Sequence, residues 1–103
     1  MTFVIFIMRQ DFNNSSLIPI LKRNDVEFAG IFGSYAHGEA REESDVDVLI
    51  KFTKPKSLLK IVRLERELSE ATHKKVDLVT ENALSPYLKE AVLREVKVFY
   101  GKR

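Results

Sequence analysis

The chain has 103 residues, and its 17 Lys and Arg against 15 Asp and Glu leave a formal net charge of only +2, too little to mark a nucleic-acid binder by electrostatics alone. A hydrophobic share of 45% and a charged share of 31% fit a single small globular domain over residues 1–103 and argue against disorder. Cysteine is absent and the only histidines are His37 and His73, which excludes disulfides, zinc thiolates and thiol nucleophiles and leaves oxygen as the donor for any metal, the preference of Mg²⁺ or Mn²⁺.

The opening run, Met1-Thr2-Phe3-Val4-Ile5-Phe6-Ile7-Met8, is apolar but far short of the roughly 20 residues that span a membrane. Arg9 follows this run instead of preceding it, and no small-residue cleavage motif comes after, so no secretory signal is expected. Residues 1–15 read as an N-terminal extension: either an added strand, or the product of an early start codon with Met8 as the true beginning. The chain reads as cytoplasmic, with no membrane partner.

Asn13 to Ser16 supply capping side chains for a helix over 16–23. Pro19 is tolerated in its first turn, and Asn24-Asp25 end it. Val26–Phe32 is predicted as the first strand, broken by Gly33. Residues 34–38 then predict a short helix or turn, and 39–44 a polar loop. A second strand is predicted from Asp45 to Phe52 or Thr53; its run Val48-Leu49-Ile50 suits a central strand covered on both faces. Ser57 caps a helix over 58–71 in which Leu58, Ile61, Leu64, Leu68 and Ala71 recur at helical spacing and face inward. The interleaved Lys60, Arg63, Glu65, Arg66, Glu67 and Glu70 read as a solvated face with i,i+4 pairs. His73-Lys74-Lys75 place positive charge at its C-terminal end. Val76–Thr80 is the third strand. Ser85-Pro86 start a last helix over 86–96, with Leu88, Val92 and Val96 or Leu93 inward, and Val98-Phe99-Tyr100 read as a short terminal strand. Tyr35, Tyr87 and Tyr100 are read as packing residues. The fold class is α/β (α+β), a small mixed sheet of three to four strands with helices packed against it.

The stretch from Gly33 to Ile50 organises this plan. Gly33-Ser34 directly follows an apolar strand, and such a corner offers backbone N–H groups and a hydroxyl suited to phosphate. After ten intervening positions come Asp45 and Asp47, which share a face of a strand with Cα atoms about 6–7 Å apart. At that distance both carboxylates can serve the same divalent cations. If the loop returns Asp45 to Gly33-Ser34, the first two strands run antiparallel.

Asp77 lies within a third strand that otherwise asks to be buried, where an unpaired carboxylate costs several kcal/mol or raises its own pKa. Lys74, Lys75, a capping N–H or a metal could compensate. Three carboxylates on neighbouring strands favour a metal, in the two-cation arrangement used for in-line displacement at phosphorus.

Gly33-Ser34, Asp45-Val46-Asp47 and the later Asp77 together resemble the minimal nucleotidyltransferases (MNT domains) of the DNA polymerase β superfamily, and among them the MntA-like antitoxins paired with HEPN toxins. The likeness reads from about Leu17 to Tyr100. It implies the nucleotidyltransferase fold and metal-dependent transfer of AMP from ATP, with pyrophosphate leaving, onto a tyrosine of a partner HEPN toxin. It also implies that Asp45 and Asp47 hold two Mg²⁺ ions, that Asp77 ligates the ion at the acceptor hydroxyl, and that Gly33 and Ser34 bind the triphosphate. His37 departs from the Arg that relatives commonly carry there, and imidazole offers phosphate a weaker contact than guanidinium. Two other readings stand beside this one: a non-catalytic antitoxin acting by occlusion, and a transferase with a nucleic-acid or small-molecule acceptor. No direct nucleic-acid contact is expected, because the basic residues of the long helix lack interleaved aromatics. An open sheet edge and the apolar start are compatible with a homo-oligomer or a complex.

Overall fold

The computed structural model describes residues 17–33 and 45–102, so Ser34, His37, the predicted turn and loop over 34–44 and the extension over 1–15 lie outside the described residues. Helix α1 (Leu17–Arg23) leads through Asn24 and Asp25 to β1 (Val26–Phe32). Strand β2 (Val46–Phe52) is followed by the long helix α2 (Leu58–Thr72) and by β3 (Val76–Thr80). A 3₁₀ turn, Glu81–Ala83, then leads to α3 (Pro86–Glu95) and β4 (Lys97–Gly101). The caps are those expected from side-chain chemistry: the Ser57 hydroxyl accepts from the Lys60 N–H, and the Ser85 hydroxyl from the Leu88 N–H with Pro86 opening the helix.

The sheet order is β3-β2-β1-β4. Strand β1 is antiparallel to both β2 and β4, whereas β2 and β3 are parallel, joined by α2 as the crossover. Both inner strands are covered on two faces. Ala29, Val46, Val48 and Ile50 face α1 and α2 through Leu17, Leu21, Leu64 and Leu68, while Phe28 and Leu49 meet Val92 of α3 on the other side. Consecutive residues such as Val48 and Leu49 are therefore both fully buried, on opposite faces.

The terminal strand is a full member of the sheet, two residues longer than Val98–Tyr100, and it pairs with β1 from Phe28–Gly101 to Ile31–Lys97. Gly30 makes room for it: a Cβ there would lie 2.6 Å from Val96 Cγ2. Helix α2 buries a shifted stripe. Leu64, Leu68 and Thr72 are inside, whereas Leu58 is 77% exposed and Ala71 is exposed. The inward reading of Leu58 fails because the sheet has ended beneath it. Ile61, one turn later, already lines a cavity of about 500 Å³ with Phe52, Thr80 and Asn82. Thr72 closes the stripe by donating its hydroxyl to the Leu68 carbonyl at 2.8 Å. In α3, Val92 is buried and Leu93 and Val96 pack against it, but Leu88 is 54% exposed and Tyr87 is exposed, so Leu88 does not face inward and Tyr87 is not the packing residue expected. Tyr100 does pack, against the α1–α2 side of the core.

Candidate active site

Strand register assembles the site. Asp47 of β2 stands opposite Phe32 of β1 on one side and Asp77 of β3 on the other. Paired residues in one row share a face, so Asp47 and Asp77 emerge together on the α3 side of the sheet, in the alternation that also puts Leu49 there. Asp45 immediately precedes β2, which begins at Val46, one residue later than expected. Its place is held by the Val46 N–H donating to the Lys75 carbonyl at 2.8 Å, which ties the start of β2 to the start of β3.

Gly33 comes directly after β1, with φ +76°, a left-handed conformation that glycine adopts without cost. A Cβ at this position would lie 2.6 Å from Asp47 Oδ2. The missing side chain thus leaves the space that the Asp47 carboxylate occupies.

The acids perturb one another. Burial, then the charges of Asp77 and Asp45, push the Asp47 carboxyl above its ordinary value. Burial, followed by the charge of Asp45, pushes Asp77 up; Lys75 opposes this and the charge of Glu65 adds to it. Lys75 supplies a countercharge, its Nζ 3.8 Å from Asp45 Oδ2. Among the described residues no three His, Cys, Asp or Glu side chains are already drawn round one point, so the carboxylates form a neighbouring cluster and not a closed cage. The donor set still fits a hard divalent cation, being all oxygen, crowded with negative charge and at the mouth of a glycine corner.

Gly33, Asp45, Asp47 and Asp77 lie at the same corner of the sheet; Ser34, the remaining predicted site residue, is outside the described residues, as is His37. Two neighbours of the site were missed. Glu65 and Ser69 of α2 were respectively placed on a solvated face and passed over, yet both are half-buried and bond to β3. Glu67 is likewise half-buried and bridges Arg23 and Asn24 of the α1 end. The Arg66–Glu70 pair is the exposed i,i+4 contact expected.

A small mixed sheet that sets two carboxylates in one register row beside a glycine corner is the frame of a nucleotidyltransferase. Residues 15–103 match the family described as Polymerase beta, Nucleotidyltransferase, and the chain belongs to that family. It is similar to a Methanocaldococcus jannaschii protein provisionally named a protein adenylyltransferase, at 49% identity over 77% of this chain and 85% of that one. It is also similar to the protein adenylyltransferase MntA of Thermococcus cleftensis, at 45% identity over 73% of this chain and 76% of the relative. A crystal structure of a toxin–antitoxin with AMP-PNP superposes with a TM-score of 0.73 at 26% identity, covering 84% of this chain and 72% of that one. The protein is thus an enzyme of the nucleotidyltransferase class with the fold of its family. No helix among the described residues is long and apolar enough to cross a membrane.

Proposed function

We propose that the protein is a metal-dependent protein adenylyltransferase that moves AMP from ATP to a tyrosine of a partner HEPN toxin, as the antitoxin of that pair. The observation that carries this reading is the Asp47–Asp77 row with Asp45 one step away and Gly33 against Asp47. Support comes from relatives named protein adenylyltransferases and from a structural neighbour that is a toxin–antitoxin bound to AMP-PNP.

Asp45 and Asp47 would hold the divalent cations, Mg²⁺ or Mn²⁺, with Asp77 ligating the one on the acceptor side. Bound there, the cations neutralise triphosphate charge and ease deprotonation of the acceptor hydroxyl. The chain's own residues set the stage. Gly33 leaves the space that the Asp47 carboxylate occupies, and Gly33 and Ser34 would bind the phosphates. Register with Asp47 holds Asp77 on the same face, and Lys75 balances part of the excess negative charge at Asp45. The acceptor oxygen bonds to the α-phosphorus as the bond to the β-phosphate oxygen breaks; pyrophosphate leaves and the hydroxyl proton passes to solvent. In this reading the acceptor protein brings its hydroxyl to this face.

Incubation with ATP, Mg²⁺ and the cognate HEPN protein should add AMP mass to the toxin's tyrosine, and Asp45→Asn should abolish the adduct without unfolding the chain. An antitoxin acting by occlusion would neutralise the toxin equally well as Asp45→Asn, and that outcome would overturn the reading.

A further inference from the structure

Among the described residues strand β3 is an edge strand, paired with β2 alone. Alternate backbone N–H groups of such a strand point away from the sheet and must find other partners. Two of them do so on α2. The Val76 N–H donates to Ser69 Oγ at 2.9 Å, and the Leu78 N–H donates to Glu65 Oε2 at 2.9 Å. These two residues bracket Asp77. The spacing is a match of repeats: four residues of helix rise about 6 Å, and two residues of strand advance about 6.6 Å. Glu65 and Ser69 are four apart on α2, Val76 and Leu78 two apart on β3, and the two elements run in opposite directions. One helical face therefore meets both N–H groups at once.

The contact is specific in its chemistry. The Ser69 hydroxyl donates to the Glu65 carbonyl at 2.8 Å, which leaves its lone pairs turned to Val76. One helical turn earlier the pattern would place Ile61 opposite Thr80. Ile61 has no acceptor, and both residues line the cavity at that end of the sheet. The edge is pinned on either side of Asp77.

We infer that Glu65 and Ser69 are positioning residues for the cation site: by clamping the N–H groups on either side of Asp77, they hold its carboxylate in register with Asp47. The inference rests on the proposed role of Asp77, and a clamp of this type acts as the outer support of a ligand does in metal sites, where its loss costs about 10–100-fold in affinity or activity. The measurement is the Mg²⁺ dependence of thermal stability, with AMP-PNP affinity in saturating Mg²⁺ as a second readout; neither needs an acceptor protein. Glu65→Ala and Ser69→Ala should each weaken apparent Mg²⁺ affinity about tenfold. Glu65→Gln and Ser69→Thr retain the acceptor atoms and should restore it to within about threefold of the wild type. Asp77→Asn is the benchmark. If it keeps the wild-type Mg²⁺ response, the site assignment itself is wrong. If it loses that response while Glu65→Ala and Ser69→Ala keep theirs, the site stands and the clamp is only edge protection. A lower melting temperature with unchanged Mg²⁺ affinity in both alanine variants overturns the inference in the same way.

Discussion

Gly33→Ala separates the cost of backbone strain from the cost of displacing a carboxylate. Two penalties meet at this residue. Its φ of +76° is left-handed, and a residue with a Cβ held there loses roughly 1–2 kcal/mol. The new Cβ would also lie 2.6 Å from Asp47 Oδ2, well inside van der Waals contact. That second conflict is relieved by rotating Asp47, at about 0.5–1.5 kcal/mol if the side chain leaves its rotamer well. The sum, about 1.5–3.5 kcal/mol, leaves most small domains folded at 25 °C but lowers the melting temperature by about 4–8 °C for each kcal/mol. Transfer should suffer far more, because relieving the clash moves the Asp47 carboxylate from its place between Gly33 and Asp77, and misplacement by about 1 Å in a positioned site costs about 100-fold. The assay pairs a thermal melt with AMP transfer measured well below the variant's melting temperature, with circular dichroism confirming the folded fraction. A folded Gly33→Ala that transfers AMP within twofold of the wild-type rate would refute the argument that the glycine exists to seat Asp47.

Three further outcomes follow from burial and charge. Asp77 is protonated more readily in the folded chain than in the unfolded one, so its ionisation costs stability, and the cost grows as pH rises from its ordinary value of 3.8 through its folded value. Asp77→Asn should therefore stabilise the metal-free protein at pH 7 by about 0.2–1 kcal/mol, the scale of partly exposed charge interactions. The gain should vanish below about pH 4, and melting curves in EDTA across pH would show a constant difference if the charge were irrelevant. Leu58→Ala should change stability by less than about 0.5 kcal/mol and Leu68→Ala should cost about 2–5 kcal/mol, since Leu58 is 77% exposed and Leu68 is 0% exposed; urea titration yielding equal losses would contradict the placement of α2. In Gly101→Ala the new Cβ would lie 1.9 Å from the Glu27 carbonyl oxygen, with φ at +70°. No side-chain rotation relieves a backbone clash, so β4 should partly detach from β1 at about 2–4 kcal/mol, and hydrogen exchange at Val98 to Tyr100 should accelerate while β2 stays protected.

Much of this protein was legible in its residue order alone. Period and punctuation placed the elements: the apolar runs of β1 and β2, Ser57 and Ser85 as caps, Pro86 at a helix start, and Gly33 at a strand end all describe local chemistry that survives folding unchanged. The three aspartates were also visible, because a carboxylate inside Val76-Asp77-Leu78-Val79 is costly enough to demand an explanation. What local pattern could not supply was anything that depends on what lies opposite. Helical spacing made Leu58 and Ala71 equivalent to Leu68, and only packing decided which were covered: Leu58 lies past the end of the sheet, and the buried stripe runs through Leu68 and Thr72, which turns Ala71 outward. Glu65 looked like a solvent-facing residue and Ser69 gave no signal at all until the edge of β3 was set against them. Above all, the row that joins Asp47 to Asp77 is a matter of register between a strand and its parallel neighbour across a helical crossover. Pairing of that kind is fixed by the packing of the whole sheet, since a shift of one residue would send Asp77 to the opposite face and bury the wrong side of the strand.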